Sequence, residues 1–421
     1  MNEGYSGRAK ASAREMNYTI WCPRCGEEII SKGYVYLCPE CGGILEIEFD
    51  LSRLKKELPT DWPRIGIGME TYKKLLPIDE DSEWVSLGEG FTPLVPSVTS
   101  LGCKVYFKNE GTNPTGSFKD RPISIVVTKA RSMGAQILIT SSSGNAGVSL
   151  AAYAARANLT AYVLVAGNTS FGKLKQMSAH GAKIFRIKGD VSRALEAATA
   201  VSKELGWVNA ATTFLSPFPT QGDKTVAYEL FVQLGRDTPD WVFVPIGAGP
   251  LLAGCYQGFD ELVQLGISDK VPHRAGVQAE GCCPIATAFQ QNAAHVVPWE
   301  SPVNTLATGI ADPLTGYLQD GEYTLNIIRR THGVAVAVSE SEILKATKHL
   351  AEREGIWAEP SGAVGLAALW KLLKEGIIQV NERVVLLITG HGFKEPVVPD
   401  SEYPLIEDLS SFCKEEGTSR I

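Results

Sequence analysis

Four short segments of the chain carry residue types that can do chemistry on a small polar molecule. The first is Asn113-Pro114-Thr115-Gly116-Ser117-Phe118-Lys119-Asp120-Arg121, a polar turn leading into a predicted helix through Ile123 to Ala130. A lysine that forms an imine must be desolvated enough to lose its proton and held beside an aldehyde, and a Pro/Gly/Ser turn ahead of a helix can fix Lys119 in that way. The alternative is an exposed lysine in a helix's first turn. The second segment, Ser141-Ser142-Ser143-Gly144-Asn145-Ala146-Gly147, follows the strand-like QILIT and precedes a helix with small residues on its face. The hydroxyls and backbone N–H groups of Ser142 to Ala146, with the amide of Asn145, could surround an anion or a ring hydroxyl at a helix N-terminus. A tight turn with a Ser/Asn cap is the alternative.

The third segment is Gly247-Ala248-Gly249-Pro250-Leu251, after the buried-strand pattern WVFVPI. Absent side chains there would let backbone donors approach a phosphate. Neither a Walker lysine nor a complete G-x-G-x-x-G series accompanies it, so a small phosphorylated cofactor is favoured over a nucleotide. The fourth is Thr389-Gly390-His391-Gly392-Phe393-Lys394, after VVLLI. A threonine hydroxyl at a strand end can hydrogen-bond a heteroaromatic nitrogen but cannot supply the negative charge that keeps it protonated. The alternative is a solvated turn, and His391 reads as a loop histidine more readily than as a base.

A separate pattern lies near the N-terminus, Cys22-Pro-Arg-Cys25-Gly and Cys38-Pro-Glu-Cys41-Gly. Two such knuckles meet what a tetrahedral Zn²⁺ needs, four thiolates on two turns with glycines that let the backbone curl. A redox pair competes with this reading, but two pairs in one short hairpin-like segment favour a closed, structural zinc ribbon. Cys103, Cys255, Cys282, Cys283 and Cys413 are scattered and read as inert thiols in a reducing compartment.

The elements that must position these groups are legible in outline. The chain has 421 residues, 44% hydrophobic and 21% charged, with 41 glycines, a soluble α/β enzyme's composition with room for two or three domains. Its net charge of −7 includes no basic block, which argues against nucleic acid or anionic lipid as a partner. No apolar run is long enough to span a bilayer and no signal-peptide core precedes the cysteines, so a cytoplasmic protein with a loose tail over 1–17 is expected. Beyond Glu89, short apolar runs alternate with helical periodicity, the pattern of βαβ units and mostly parallel sheets. Ser339 and Glu342 have capping-box spacing. Functional groups in such sheets gather at the carboxyl ends of strands.

In this order, a lysine turn, a Ser-Gly-Asn loop, a glycine loop and a C-terminal hydroxyl residue resemble the fold-type II pyridoxal 5′-phosphate enzymes, which are tryptophan synthase β-like. Within that group NPTGSFKDR, SSGNAG, QGDKTVAYEL, ATGI and TGHGFKEP are similar to threonine synthase, and the resemblance covers about Glu89 to Asp400. It implies that Lys119 forms the imine, that Asn145 bonds the ring hydroxyl, that Gly247, Ala248, Gly249, Pro250 and Leu251 cradle the phosphate, and that Thr389 faces the pyridine nitrogen. Ser142, Ser143, Gly144, Ala146 and Lys224 are the implied substrate contacts. The implied domains are a zinc ribbon at 18–50, a linker or arm at 51–88, a large domain at 89–134 and 213–400, a small domain at 135–212 and a tail at 401–421. The implied reaction converts O-phosphohomoserine and water to threonine and phosphate in a homodimer, with threonine or serine dehydration, or β-replacement on an O-activated serine, as the alternative. Two departures concern the substrate. The family's arginine is missing from Ser216 to Thr225, and Gly309-Ile310-Ala311-Asp312-Pro313 is altered; Lys224, Arg121 or Lys173 could supply the lost cation.

Overall fold

The computed structural model describes residues 17–30, 33–66, 68–166, 171–188 and 191–396; nearly all of both expected tails, and the large domain past 396, lie outside the described residues. Strands Tyr18–Trp21 and Glu46–Phe49 pair antiparallel, and both cysteine turns fall between them. The stretch expected as a linker or arm is packed cladding. Asp50 caps the helix Leu51–Glu57, and Trp62, Tyr72 and Leu75 are buried. Their rings meet Tyr228, at 5.1 Å from Trp62 and 5.2 Å from Tyr72, because a proline-punctuated stretch with this many aromatics covers more apolar area folded back than extended.

Two sheets follow. The larger has strand order Val334–Val338, His273–Ala279, Trp241–Pro245, Arg383–Ile388, Lys104–Asn109, Leu94–Pro96. All its pairings are parallel except that of the edge strand Leu94–Pro96. The smaller, all parallel, has the order Lys183–Ile187, Thr160–Ala166, Ile137–Ser141, Val208–Asn209. Trp241–Pro245 is buried along its whole length, as a continuous apolar run between two helical layers must be. The capping box at Ser339 and Glu342 forms, and the helix Glu340–Glu354 follows it. No described helix is long and apolar enough to cross a membrane.

The chain passes from the larger unit to the smaller after helix Asp120–Ser132 and returns through helix Phe218–Asp223. These two helices touch at backbone distance. A methyl group on Gly222 would lie 2.3 Å from the carbonyl oxygen of Arg121, so only glycine fits there.

Candidate active site

A cavity of about 410 Å³ sits at the carboxyl ends of strands from both sheets and gathers all four polar segments. Lys119 precedes the helix Asp120–Ser132, which is buried from Asp120 to Ala130. Its Nζ donates to Thr212 Oγ1 at 2.8 Å and lies 4.6 Å from the centre of the Phe118 ring. Burial lowers the lysine's pKa, and the neighbouring charges of Asp223 and Asp312 only partly oppose this. An amine held that way is ready to act as a nucleophile.

Asn145 opens the helix Asn145–Arg156. Its Nδ2 donates to Glu359 Oε1 at 2.7 Å, while its Oδ1 and the hydroxyl of Thr140 are buried without partners, and the second oxygen of Glu359 makes no hydrogen bond. Buried polar atoms left unbonded around one cavity call for a polar ligand. Lys173 lies on the same wall, 3.2 Å from Glu395 and 3.9 Å from Glu359, and it donates to Thr308 at 3.3 Å. Burial raises the pKa of Glu359, with Lys173 and Lys394 opposing.

Gly249 has φ 104° and precedes the helix Pro250–Gln264. A methyl group there would stand 2.2 Å from Thr324 Oγ1, whose hydroxyl in turn donates to the carbonyl of Ala248 at 2.6 Å. The side-chain-free loop at a fifteen-residue helix's N-terminus is a cradle for a phosphate. Thr389, 3% exposed, closes the cavity, and its carbonyl accepts from Phe118 N–H at 3.0 Å. Its hydroxyl has no hydrogen-bond partner among the described residues. A lysine of lowered pKa, a phosphate cradle, an amide with a free acceptor and a neutral hydroxyl fit a phosphorylated aromatic aldehyde.

Ser142, Ser143, Gly144 and Ala146 line this cavity, as do Gly247 to Leu251. Lys224 does not. Its ammonium is fully buried, bonded to Glu261 at 2.9 Å and set 4.1 Å from the Phe49 ring centre, so the expected substrate contact from Lys224 is not met. Arg121 is likewise buried, between Glu110 and Glu229. Of the three cations that could replace the missing arginine, only Lys173 reaches the cavity. Thr212, Asp312, Glu359 and Ser361 also line it and were not singled out from sequence. Glu359 had one signal: it sits at the N-cap of helix Pro360–Lys374 yet its side chain caps nothing, leaving the carboxylate for a distant partner.

The four N-terminal cysteines converge. Their sulfurs all lie within 4.8 Å of one another, with Cys22 to Cys41 at 3.5 Å and Cys25 to Cys38 at 3.6 Å. A tetrahedron with Zn–S of about 2.3 Å puts sulfurs ~3.8 Å apart, so the cluster fits such an ion. Gly43 packs tightly beside it, since a methyl group there would lie 3.1 Å from the Cys22 sulfur.

Residues 85–390 match the family described as pyridoxal-phosphate dependent enzyme. The chain is 39% identical to a threonine synthase of Methanocaldococcus jannaschii over 91% of this chain and 95% of that one. It is 37% identical to the threonine synthase of Methanosarcina acetivorans, covering 93% and 96%. Among solved structures, maize serine racemase superposes with a TM-score of 0.61 at 21% identity over 78% of this chain and 92% of that one. Threonine deaminase isoform 2 from Solanum lycopersicum gives 0.60 at 23% over 78% and 88%. These two likenesses concern the fold alone.

Proposed function

This chain belongs to the threonine synthases, within the pyridoxal-phosphate dependent enzymes, and from that premise we propose that the cavity converts O-phosphohomoserine and water to threonine and phosphate, with Lys119 as its catalytic residue. The observation that carries the reading is the meeting of Lys119, Asn145, the Gly247–Leu251 loop, Thr389 and Lys173 around one cavity. When bound, pyridoxal 5′-phosphate supplies an electron sink for bond changes at an amino acid's α-, β- and γ-carbons.

The protein's own groups do the rest. Lys119 Nζ would hold the cofactor covalently and, when free, would carry the proton at the substrate's Cα; its hydrogen bond to the Thr212 hydroxyl orients it. The backbone N–H groups of Gly247, Ala248, Gly249 and Leu251 would hold the cofactor phosphate, Pro250 having none to donate. Asn145, steadied by Glu359, bonds the ring hydroxyl. Thr389 would offer the cofactor's ring nitrogen a neutral hydroxyl, which cannot supply the negative charge that keeps such a nitrogen protonated. The loop Ser142, Ser143, Gly144 and Ala146 receives the substrate's carboxylate. Lys173 is the cation for the substrate's phosphate: it is 3% exposed, and its present anionic partner Glu395 is one an incoming phosphate can replace. The reading extends to one structural Zn²⁺ on Cys22, Cys25, Cys38 and Cys41, and, on family resemblance, to a cytoplasmic homodimer.

Inorganic phosphate release from O-phosphohomoserine, read against a Lys119→Ala background, tests the reaction. Lys173→Met should raise the KM by ~10-fold or more, the value of a charge-assisted bond of about 1.5–3 kcal/mol. No release above background, with turnover of threonine or serine instead, would replace this reading with a dehydratase.

A further inference from the structure

A second cavity, of about 240 Å³, lies where the ribbon strand Glu46–Phe49 packs on helices Pro250–Gln264 and Leu318–Arg330. One wall holds an unanswered acceptor. Gln257 Nε2 donates to the Ile47 carbonyl and to Glu261 Oε1, both at 3.0 Å, which fixes its amide orientation. Its oxygen therefore accepts from Gln221 Nε2, at 2.8 Å. That leaves Gln221 Oε1, on a side chain only 1% exposed, buried without a partner. Flipping the Gln221 amide would set two oxygens against each other, so the orphan is an acceptor that no described protein group answers.

The rest of the lining narrows the ligand. Glu46, Glu48 and Asp260 add carboxylates, and Arg330 is the single arginine among the lining residues. The Arg330 guanidinium lies 5.7 Å from the Tyr256 ring centre and makes no hydrogen bond or ion pair with a described residue. A simple amine would leave Arg330 unused. A dicarboxylate would leave Gln221 unanswered and face three like charges. We infer that this cavity binds a free α-amino acid, its ammonium against Gln221 Oε1 and its carboxylate against Arg330.

One helix lines both cavities, and a second comes within electrostatic reach of Lys119. Pro250–Gln264 begins at the glycine loop and carries Tyr256, Gln257 and Asp260 into the second cavity. Phe218–Asp223 carries Gln221, two residues from Asp223, whose charge acts on Lys119. Through these helices a bound ligand would act as an effector, whichever amino acid the first cavity consumes.

The test uses holoenzyme reduced with borohydride, so that the first cavity can no longer exchange amines, titrated calorimetrically with the common amino acids one by one. At least one should bind at one per chain, and Gln221→Met and Arg330→Leu should each weaken it ~10-fold or more. Arg330 lies on the exposed rim, so its variant keeps the test valid should Gln221→Met fold poorly. On unreduced enzyme the same amino acid should change turnover in the parent but not in Arg330→Leu, whose basal rate stays the same. Absence of binding to the reduced enzyme, or binding indifferent to both substitutions, would overturn the inference and leave water as the occupant of the cavity.

Discussion

Arg121 shows how far a side chain's role can lie from its sequence neighbourhood. Its Nε donates to Glu110 at 2.7 Å and its NH1 to Glu229 at 2.6 Å, while Lys108 reaches the other oxygen of Glu229 at 2.6 Å. All four side chains are fully buried. Burial alone would raise the Glu229 pKa, but Arg121 and Lys108 outweigh it and hold it at about 2. Because the folded pKa lies below the ordinary value of 4.5, this group's stabilisation is complete above about pH 4.5 and is lost as pH falls through about 2. Glu229→Gln leaves two buried cations short of an anion and should destabilise the fold by about 3–5 kcal/mol. Denaturant unfolding at neutral pH checks the loss; repeated down to pH ~2, it should show a shallower acid decline in the variant than in the parent. The sequence could not assign these partners, since Glu229 stands 108 positions from Arg121. Lys224 was misread for the same reason: from the chain alone it is one more cation beside the substrate motif, and only the fold turns it toward Glu261. Lys119, Asn145 and Thr389 each lie in a turn at a strand's or helix's end, where local sequence sets the geometry, and the fold gathers all three around one cavity.

At the level of elements, the glycine turn ahead of Pro250–Gln264 is the most constrained piece of the cavity. An alanine at Gly249 would need a left-handed backbone, at roughly 1–2 kcal/mol, and would also displace Thr324 from its bond to Ala248. Gly249→Ala should therefore weaken cofactor affinity by ~10-fold or more, measured by titrating pyridoxal 5′-phosphate into apoenzyme; unchanged affinity would mean that this turn does not hold the phosphate. The alternation of strand and helix was readable where a buried strand is a short apolar run, as at Trp241–Pro245, and where a helix has its own cap, as at Ser339. Residues 51–88 were not, because aromatics spaced by prolines have no period, and their packing against Tyr228 is set by the rest of the molecule.

At the scale of the whole molecule, the ribbon bonds to both units. Tyr36 accepts from Asn209 N–H at 2.9 Å in the smaller sheet, and Glu46 accepts from Tyr323 at 2.7 Å in the larger unit. Metal analysis should give about one Zn²⁺ per chain. Cys22→Ser should loosen residues 17–50, read as faster amide exchange there, while the visible absorbance of the bound cofactor persists, because no ribbon residue lines the first cavity. Loss of cofactor from a folded variant would contradict this. The order of strands in the larger sheet also sets a schedule for synthesis. Arg383–Ile388 lies between Trp241–Pro245 and Lys104–Asn109, so without it that sheet is two separate pieces. On the ribosome the smaller sheet has all its strands once Val208–Asn209 has emerged, whereas the larger waits for nearly the entire chain. Thr389 directly follows that late strand. A nascent chain stalled before it would carry Lys119 and the glycine loop without the sheet that brings them together, so the cavity is completed in the same event that closes the fold.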